Sequence, residues 1–275
     1  MQQPLISICI PSYNRLSYLK KCIPVFLSVD EIEICIHDDG SLDGTDDFLS
    51  NIASKRFNYT YGENRGLGYA RSKSMTLAKG EYIMPFDSDD LMSRDDLLLI
   101  IKKIKDRKFN WYCFDLMDSS TGTLLGTNLA SSVTTNYSKL RGRYQIKGDK
   151  RDVIKRSLLT KLLIMETGPY RLVPMSLYFN KLQKHTVLNY QPILVGEKVY
   201  LDSGMSNNVR GLVNSIEFFM ALDIYYILIN KLKNLIFHQL VRDIIRFQYY
   251  SILTFWVILT NSVKRKYIYE FYKKK

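Results

Sequence analysis

The chain is poor in the residues that make covalent or metal staples. Its four cysteines, Cys9, Cys22, Cys35 and Cys113, show no CxxC spacing, and Cys9 and Cys35 lie inside apolar, strand-like runs. That pattern excludes a zinc site and a disulfide framework, and the thiols read as buried and reduced. Three histidines, His37, His185 and His238, are too scattered to share a metal ion. The opening stretch MQQPLISICIP has no basic residues ahead of its short apolar run. It does not read as a signal peptide, so a cytoplasmic location is expected. Internal repeats and long low-complexity segments are also missing.

What is present is a core-forming composition with a lopsided charge. Hydrophobic residues make up 46% of 275, too many for a disordered chain. This length suits one large domain, or one domain with an appendage. The formal net charge is +12, and from Lys231 to Lys275 ten Lys/Arg stand against two acids. Most of the excess therefore belongs to the C-terminal tail.

The first half alternates short apolar runs with helical stretches. Strands are expected at Ile6–Pro11, Ile32–Asp39, Phe57–Tyr61, Glu81–Asp87 and Trp111–Met117. Helices are expected at Leu16–Val29, from near Asp43, at Gly66–Lys79 and at Leu97–Lys105. This alternation predicts an α/β fold with a mixed, mainly parallel sheet flanked by helices. Ligands of such sheets collect at the carboxyl ends of the strands. Residues 118–143 read as loop or irregular hairpin. Asp149–Leu163 and Val173–Lys184 read as helix, and Val187–Val195 as strand. From Leu212 onward the chain reads as helix.

Four polar clusters fall at expected strand ends: Pro11-Ser12-Tyr13-Asn14-Arg15, Asp38-Asp39-Gly40-Ser41-Leu42-Asp43-Gly44, Asn64-Arg65-Gly66 running on to Arg71, and Asp87-Ser88-Asp89-Asp90. One acidic strand end usually caps the next helix. Four on one sheet edge call for a ligand. Three carboxylates in four residues repel one another unless a cation sits among them. Hard oxygen ligands suit Mg²⁺ or Mn²⁺, which combine carboxylates with phosphate oxygens.

The order PSYNR, DDGSLDGT, NRGLGYARS, GEYIMPFDSDD resembles family 2 glycosyltransferases, the inverting enzymes of the GT-A fold, over roughly residues 5–117. The resemblance implies that Pro11 and Tyr13 line a base pocket, that Asp39 accepts the uracil N3–H and that Arg71 helps hold the nucleotide. Asp87 would bind the ribose, with Ser88 beside it. Asp89 would ligate the metal bridging the diphosphate, as in a DxD motif. It further implies a general base some 75–100 residues beyond that motif, for which Asp149, Asp152 and Glu166 are candidates; Glu166 is favoured, and Asp149 also fits a helix N-cap. The segment GDKRDVIKRSLLT with the later VPMSLYFNKL and VYLDSGMSNN resembles a branch that builds bacterial cell-surface polysaccharides such as capsule. Expected partners are a nucleotide-sugar donor and a lipid-linked or oligosaccharide acceptor.

In the tail, Lys231–Arg246 reads as an amphipathic helix. Phe247–Val263 carries no charge, but its 17 residues reach only about 25 Å, short of a ~30 Å hydrocarbon core. A helix lying in an anionic membrane surface fits best, and packing against a sister subunit in a homodimer is the other reading. So wide an apolar stripe gains nothing from nucleic acid phosphates, so no nucleic acid partner is expected. The expected division is a GT-A domain over 1–210 and a basic helical tail over 211–275. A catalytically inactive module that binds nucleotide sugars or scaffolds an assembly complex is the competing reading. A nucleotidyltransferase is disfavoured, because PSYNR is no basic Gly-rich loop.

Overall fold

The computed structural model describes residues 3–159, 173, 175–200 and 248. Alternating β-branched residues start the sheet. In β1 (Ile6–Ser12) and β2 (Ile32–Asp38) every residue is buried, so both faces of these strands are covered. Ile6, Ile8 and Ile10 point to one face, where they meet Ile32, Ile34 and Ile36 under α1 (Leu16–Leu27) and α4 (Arg94–Ile104). Cys9 and Cys35 point to the other, with Met75 of α3 (Leu67–Thr76), Leu140 of α5 (Tyr137–Gly142) and Phe179 of α7 (Met175–Leu182). The result is a sheet between two helical layers. All four cysteines are free and buried, as expected.

Among the described residues nine strands form one sheet, ordered β3-β2-β1-β4-β8-β5-β9-β7, with β6 (Thr123–Leu124) paired to β5. Strand β1 is parallel to β2 and to β4 (Tyr82–Pro85), and β2 is parallel to β3 (Phe57–Tyr61). Strand β8 (Lys150–Lys155) runs antiparallel between β4 and β5 (Trp111–Asp118). Beyond it β9 (Leu188–Lys198) is parallel to β5, and β7 (Val133–Thr135) closes the edge antiparallel to β9. Helix α2 (Thr45–Ser50) follows β2, and α6 (Arg156–Leu159) follows β8.

Two expectations are corrected. Of the helix expected at Asp149–Leu163, the described residues, up to Leu159, form strand β8 followed by the four-residue α6. Its charges misled, because Lys150, Arg151 and Asp152 look like a solvated helix face yet are all buried. Each has a partner: Lys150 pairs with Asp115 at 2.9 Å, Arg151 with Asp90 at 2.9 Å, and Asp152 accepts from Trp111 Nε1 at 2.6 Å. The supposed loop at 118–143 contains β6, β7 and α5. Asn136 starts that helix by accepting from Lys139 N at 2.8 Å, an ordinary N-cap. The tail over 211–275, Gln248 apart, lies outside the described residues, as does the boundary near 210. Among the described residues no helix is long and apolar enough to cross a membrane.

Candidate active site

The site follows from the strand order. Chain direction reverses its drift across the sheet between β1 and β4, which pair side by side though β2 and β3 intervene in sequence. Such a switch point opens a crevice at the carboxyl ends of the strands. Pairing between β1 and β4 stops at Cys9 and Pro85; β1 then runs on beside β2 to Ser12, while the chain after β4 turns away into the Asp87–Asp90 loop. The ends of β1, β2, β3 and β4 lie on one edge, so all four polar clusters meet there, as expected.

The first three loops are laced into one unit. Asn14, in a left-handed conformation with φ 52°, donates its backbone N–H to Ser41 Oγ at 2.7 Å and accepts from Leu42 N at 2.8 Å. Asp43 serves two helices at once. Its Oδ2 accepts from Leu16 N, the first residue of α1, at 3.0 Å, and its Oδ1 accepts from Thr45 at the start of α2. Burial raises the pKa of Asp38, and Ser41 Oγ donates to it at 2.5 Å. Gly40, at φ 81°, packs so closely that a Cβ there would lie 3.1 Å from Asn64 N. Glycine suits this place, since a side chain would strain the left-handed backbone and press the two loops apart.

Asp39 is buried and acts as a clamp. Its two oxygens accept from Arg65 N at 2.8 Å and Gly66 N at 2.7 Å, the entry to α3. Behind it His37 Nδ1 and Thr60 Oγ1 lie 2.9 Å apart, and its ring meets Tyr69 edge-on at 5.5 Å. Burial, helped by Lys73, pushes His37 down to about 4, so the imidazole is neutral at pH 7. The Tyr13 ring stands 46% exposed at the mouth, whereas Pro11 is buried in β1.

The Asp87–Asp90 loop divides its three carboxylates. Asp87 pairs with Arg71 at 3.1 Å through Oδ1 and with Lys198 at 2.5 Å through Oδ2. Burial works to raise its pKa, but these two cations prevail and hold it well below the usual carboxylate range. Asp90 turns inward to Arg151 at 2.9 Å and to Lys198 at 3.2 Å, and Arg151 itself lies over the Phe86 ring. Asp89 remains at the crevice, 19% exposed, with Arg15 at 3.9 Å. Burial raises its pKa above the ordinary value. Repulsion among the three is thus relieved by protein cations, which the sequence argument did not foresee. Ser88 is buried in the same turn.

Because β8 runs antiparallel to β4, its amino end comes to this same edge, and Asp149 precedes it directly. Asp149 is not a helix N-cap. Its charge reaches Lys198 and Tyr200 at the end of β9. Asp152 lies deeper, bonded to Trp111. Glu166 lies outside the described residues. Arg71 Nη1 also donates to Val173 O at 3.2 Å, tying the approach to α7 to this edge.

Comparison with known proteins settles the family. The Glycosyl transferase family 2 profile matches residues 7–162, more than half of the chain. The chain belongs to this family. Among its relatives, abequosyltransferase RfbV of Salmonella typhimurium is 36% identical over 105 residues, which is 35% of this chain and 31% of that protein. Chondroitin synthase of Pasteurella multocida is 35% identical over 109 residues, 38% of this chain and 11% of that one. The matches thus span under a third of either relative. The crystal structure of S. aureus TarS 1-349 in complex with UDP superposes with a TM-score of 0.62 at 16% identity, covering 82% of this chain and 65% of that one. At that identity the likeness is one of fold.

Within this family 2 domain the sequence reading missed two cations, Arg151 and Lys198. Arg151 sat in a stretch taken for helix. Lys198 lies 111 residues from Asp87, and β9 was expected to stop at Val195. The strand continues through Gly196, whose φ of 85° accompanies a backbone approach so close that a Cβ would lie 2.7 Å from Leu91 O.

Proposed function

We propose that this chain is an inverting glycosyltransferase that moves a sugar from a UDP-sugar to a glycan acceptor, lipid-linked, in the making of a cell-surface polysaccharide such as capsule. The observation that carries the reading is the meeting of Asp39, Arg71, Asp87 and Asp89 at one switch-point crevice, with Arg71 and Asp87 paired at 3.1 Å. The family match and the fold shared with a UDP-bound protein support it. So does the TarS structure in complex with UDP-GlcNAc, at a TM-score of 0.60.

In this account uracil packs on the exposed Tyr13 ring beside Pro11. Asp39, already oriented by two backbone amides, accepts the N3–H. Arg71 holds Asp87, which binds the ribose with Ser88 alongside. Asp89 fits a Mn²⁺ or Mg²⁺ ion, because its cation contact, to Arg15 at 3.9 Å, is the longest of the three carboxylates, whereas Asp87 and Asp90 are tightly paired with protein cations. Such ions take few protein ligands and complete their shell with phosphate oxygens and water. The bound ion supplies Lewis-acid stabilisation to the leaving diphosphate. Arg15, Arg71 and Lys198 add fixed positive charge along the same edge, which helps where the leaving group's charge grows.

Inversion needs one carboxylate base on the far side of the sugar to take the acceptor proton. Glu166 is proposed for it, with Asp149 at the site edge as the alternative. The tail over 211–275 is proposed to rest on the anionic inner face of the cell membrane, bringing a cytoplasmic enzyme to its acceptor. Pairing with a second copy is the other outcome for that tail.

One observation favours the second reading, a module that binds nucleotide sugar without transfer. Arg71 ties Val173 to the donor edge, yet from Thr167 to Gly196 the chain has no carboxylate at all. Incubating the full chain with several nucleotide sugars and an undecaprenyl-diphosphate-linked acceptor separates the two. Transfer predicts release of UDP and a product of inverted anomeric configuration by NMR. Tight UDP binding without any release supports the module, and a retained configuration contradicts inversion. The same protein should sediment with anionic liposomes and be partly released by salt; full solubility at low salt contradicts the membrane part.

A further inference from the structure

Lys198 places its ammonium between two carboxylates. Its ammonium lies 2.5 Å from Asp87 Oδ2 and 3.2 Å from Asp90 Oδ1, and its side chain is only 12% exposed. Asp90 Oδ1 makes no hydrogen bond beyond this ionic contact. Arg71 and Arg151 take the remaining oxygens of the pair. Four cations, Arg15, Arg71, Arg151 and Lys198, thus contact three carboxylates, with Asp149 acting on Lys198 from further off. Among the described residues no three His, Cys, Asp or Glu side chains are arranged to hold an ion. A free divalent cation approaching Asp89 meets one carboxylate and a fixed ammonium nearby. The diphosphate of a nucleotide would reverse that balance, since it brings the oxygen ligands and the negative charge the cluster lacks.

We infer that Lys198 is a positioning residue that closes the aspartate cluster to free divalent cations, so that the metal enters only together with the diphosphate of the donor. This rests on the donor-site reading proposed above. Binding of cation and nucleotide is then mutually dependent, by the same factor in either order.

Electron paramagnetic resonance of Mn²⁺ with the full chain counts free and bound ion without any turnover. Wild type should hold Mn²⁺ weakly alone and far more tightly with UDP. Lys198→Met should bind Mn²⁺ alone at least about tenfold more tightly than wild type, since a unit charge a few ångströms from the ion is removed. UDP should then improve Mn²⁺ binding much less. Lys198→Arg should behave as wild type. If Lys198→Met fails to fold, Lys198→Gln carries the same comparison, because it removes the charge and keeps a donor for Asp87. Unchanged affinity for Mn²⁺ alone in a folded, charge-removing variant overturns the role given to Lys198. A gain in that variant, with no effect of UDP on wild type, upholds Lys198 as the barrier and counts instead against the donor site.

Discussion

Lys198 Nζ lies 2.5 Å from Asp87 Oδ2, joining the last residue of β9 to the loop after β4 across 111 positions of sequence. The contact takes one oxygen of Asp87 and leaves the other to Arg71. With Asp87 and Asp90 both tightly engaged by protein cations, Asp89 keeps only the longer contact to Arg15 at 3.9 Å, and it is the carboxylate proposed for the metal. Neighbouring aspartates in one short motif therefore have different partners.

That division predicts opposite behaviour for two adjacent substitutions. Asp90→Ala leaves the buried Arg151 without its carboxylate, though Lys198 keeps Asp87, and should cost about 3–5 kcal/mol in denaturant unfolding. Asp89→Ala removes a partly exposed group and should change stability by under about 1 kcal/mol, while abolishing transfer. Equal losses of stability in the two variants would contradict the assignment.

Asp39 clamps two backbone amides and is also proposed to recognise uracil, and the two tasks can be separated. Asp39→Ala leaves the amides of Arg65 and Gly66 without their acceptor and should lower stability by about 1–3 kcal/mol. It should also weaken UDP by a similar amount and GDP far less. Calorimetry with both nucleotides checks this; a UDP to GDP ratio equal to that of wild type would show that Asp39 is only a clamp.

The catalytic base is tested by conservative amides. Glu166→Gln should keep UDP affinity and lose turnover by roughly 10²-fold or more, and Asp149→Asn should fall much less. Stopped-time assays of sugar transfer, with UDP affinity measured alongside, decide between them. The reverse ranking would move the base to Asp149, which the fold brings to the same edge.

Asp152 gives a prediction with a defined pH window. Burial pushes it up to about 6, against the hydrogen bond from Trp111 Nε1. Between about pH 4 and 6 the folded chain holds a proton that the unfolded chain has released. Its contribution is full at the acid end and is lost as pH rises through 6. Asp152→Asn cannot ionise and keeps an oxygen for Trp111. Relative to that variant, wild type should lose on the order of 3 kcal/mol between pH 4 and 7, then no more. A stability difference constant across that range contradicts the account.

The parallel half of the sheet was legible because its signals are local. Ile6, Ile8 and Ile10 alternate, Asp38-Asp39-Gly40 ends a strand, and Ser93 with Asp96 boxes the start of α4. The residues proposed for the donor could be placed on one sheet edge for the same reason, each lying at or just beyond the end of a strand that reads plainly. Strand β8 was not, since Lys150, Arg151 and Asp152 are buried only because Asp115, Asp90 and Trp111 receive them, and no one of those partners is near in sequence. Lys198 was hidden likewise. A lone lysine in VGEKVY carries no mark of the two aspartates it will meet.

The most direct test of the central claim, a metal-dependent uridine nucleotide site at the β1–β4 crevice, is calorimetric titration of the full chain with UDP in Mn²⁺ and in chelator. The account predicts tight binding with Mn²⁺, weakened at least about tenfold by chelator in wild type and already weak in Asp89→Ala under both conditions. Equal UDP affinity in Mn²⁺ and in chelator, or no UDP binding at all by the folded chain, would contradict it.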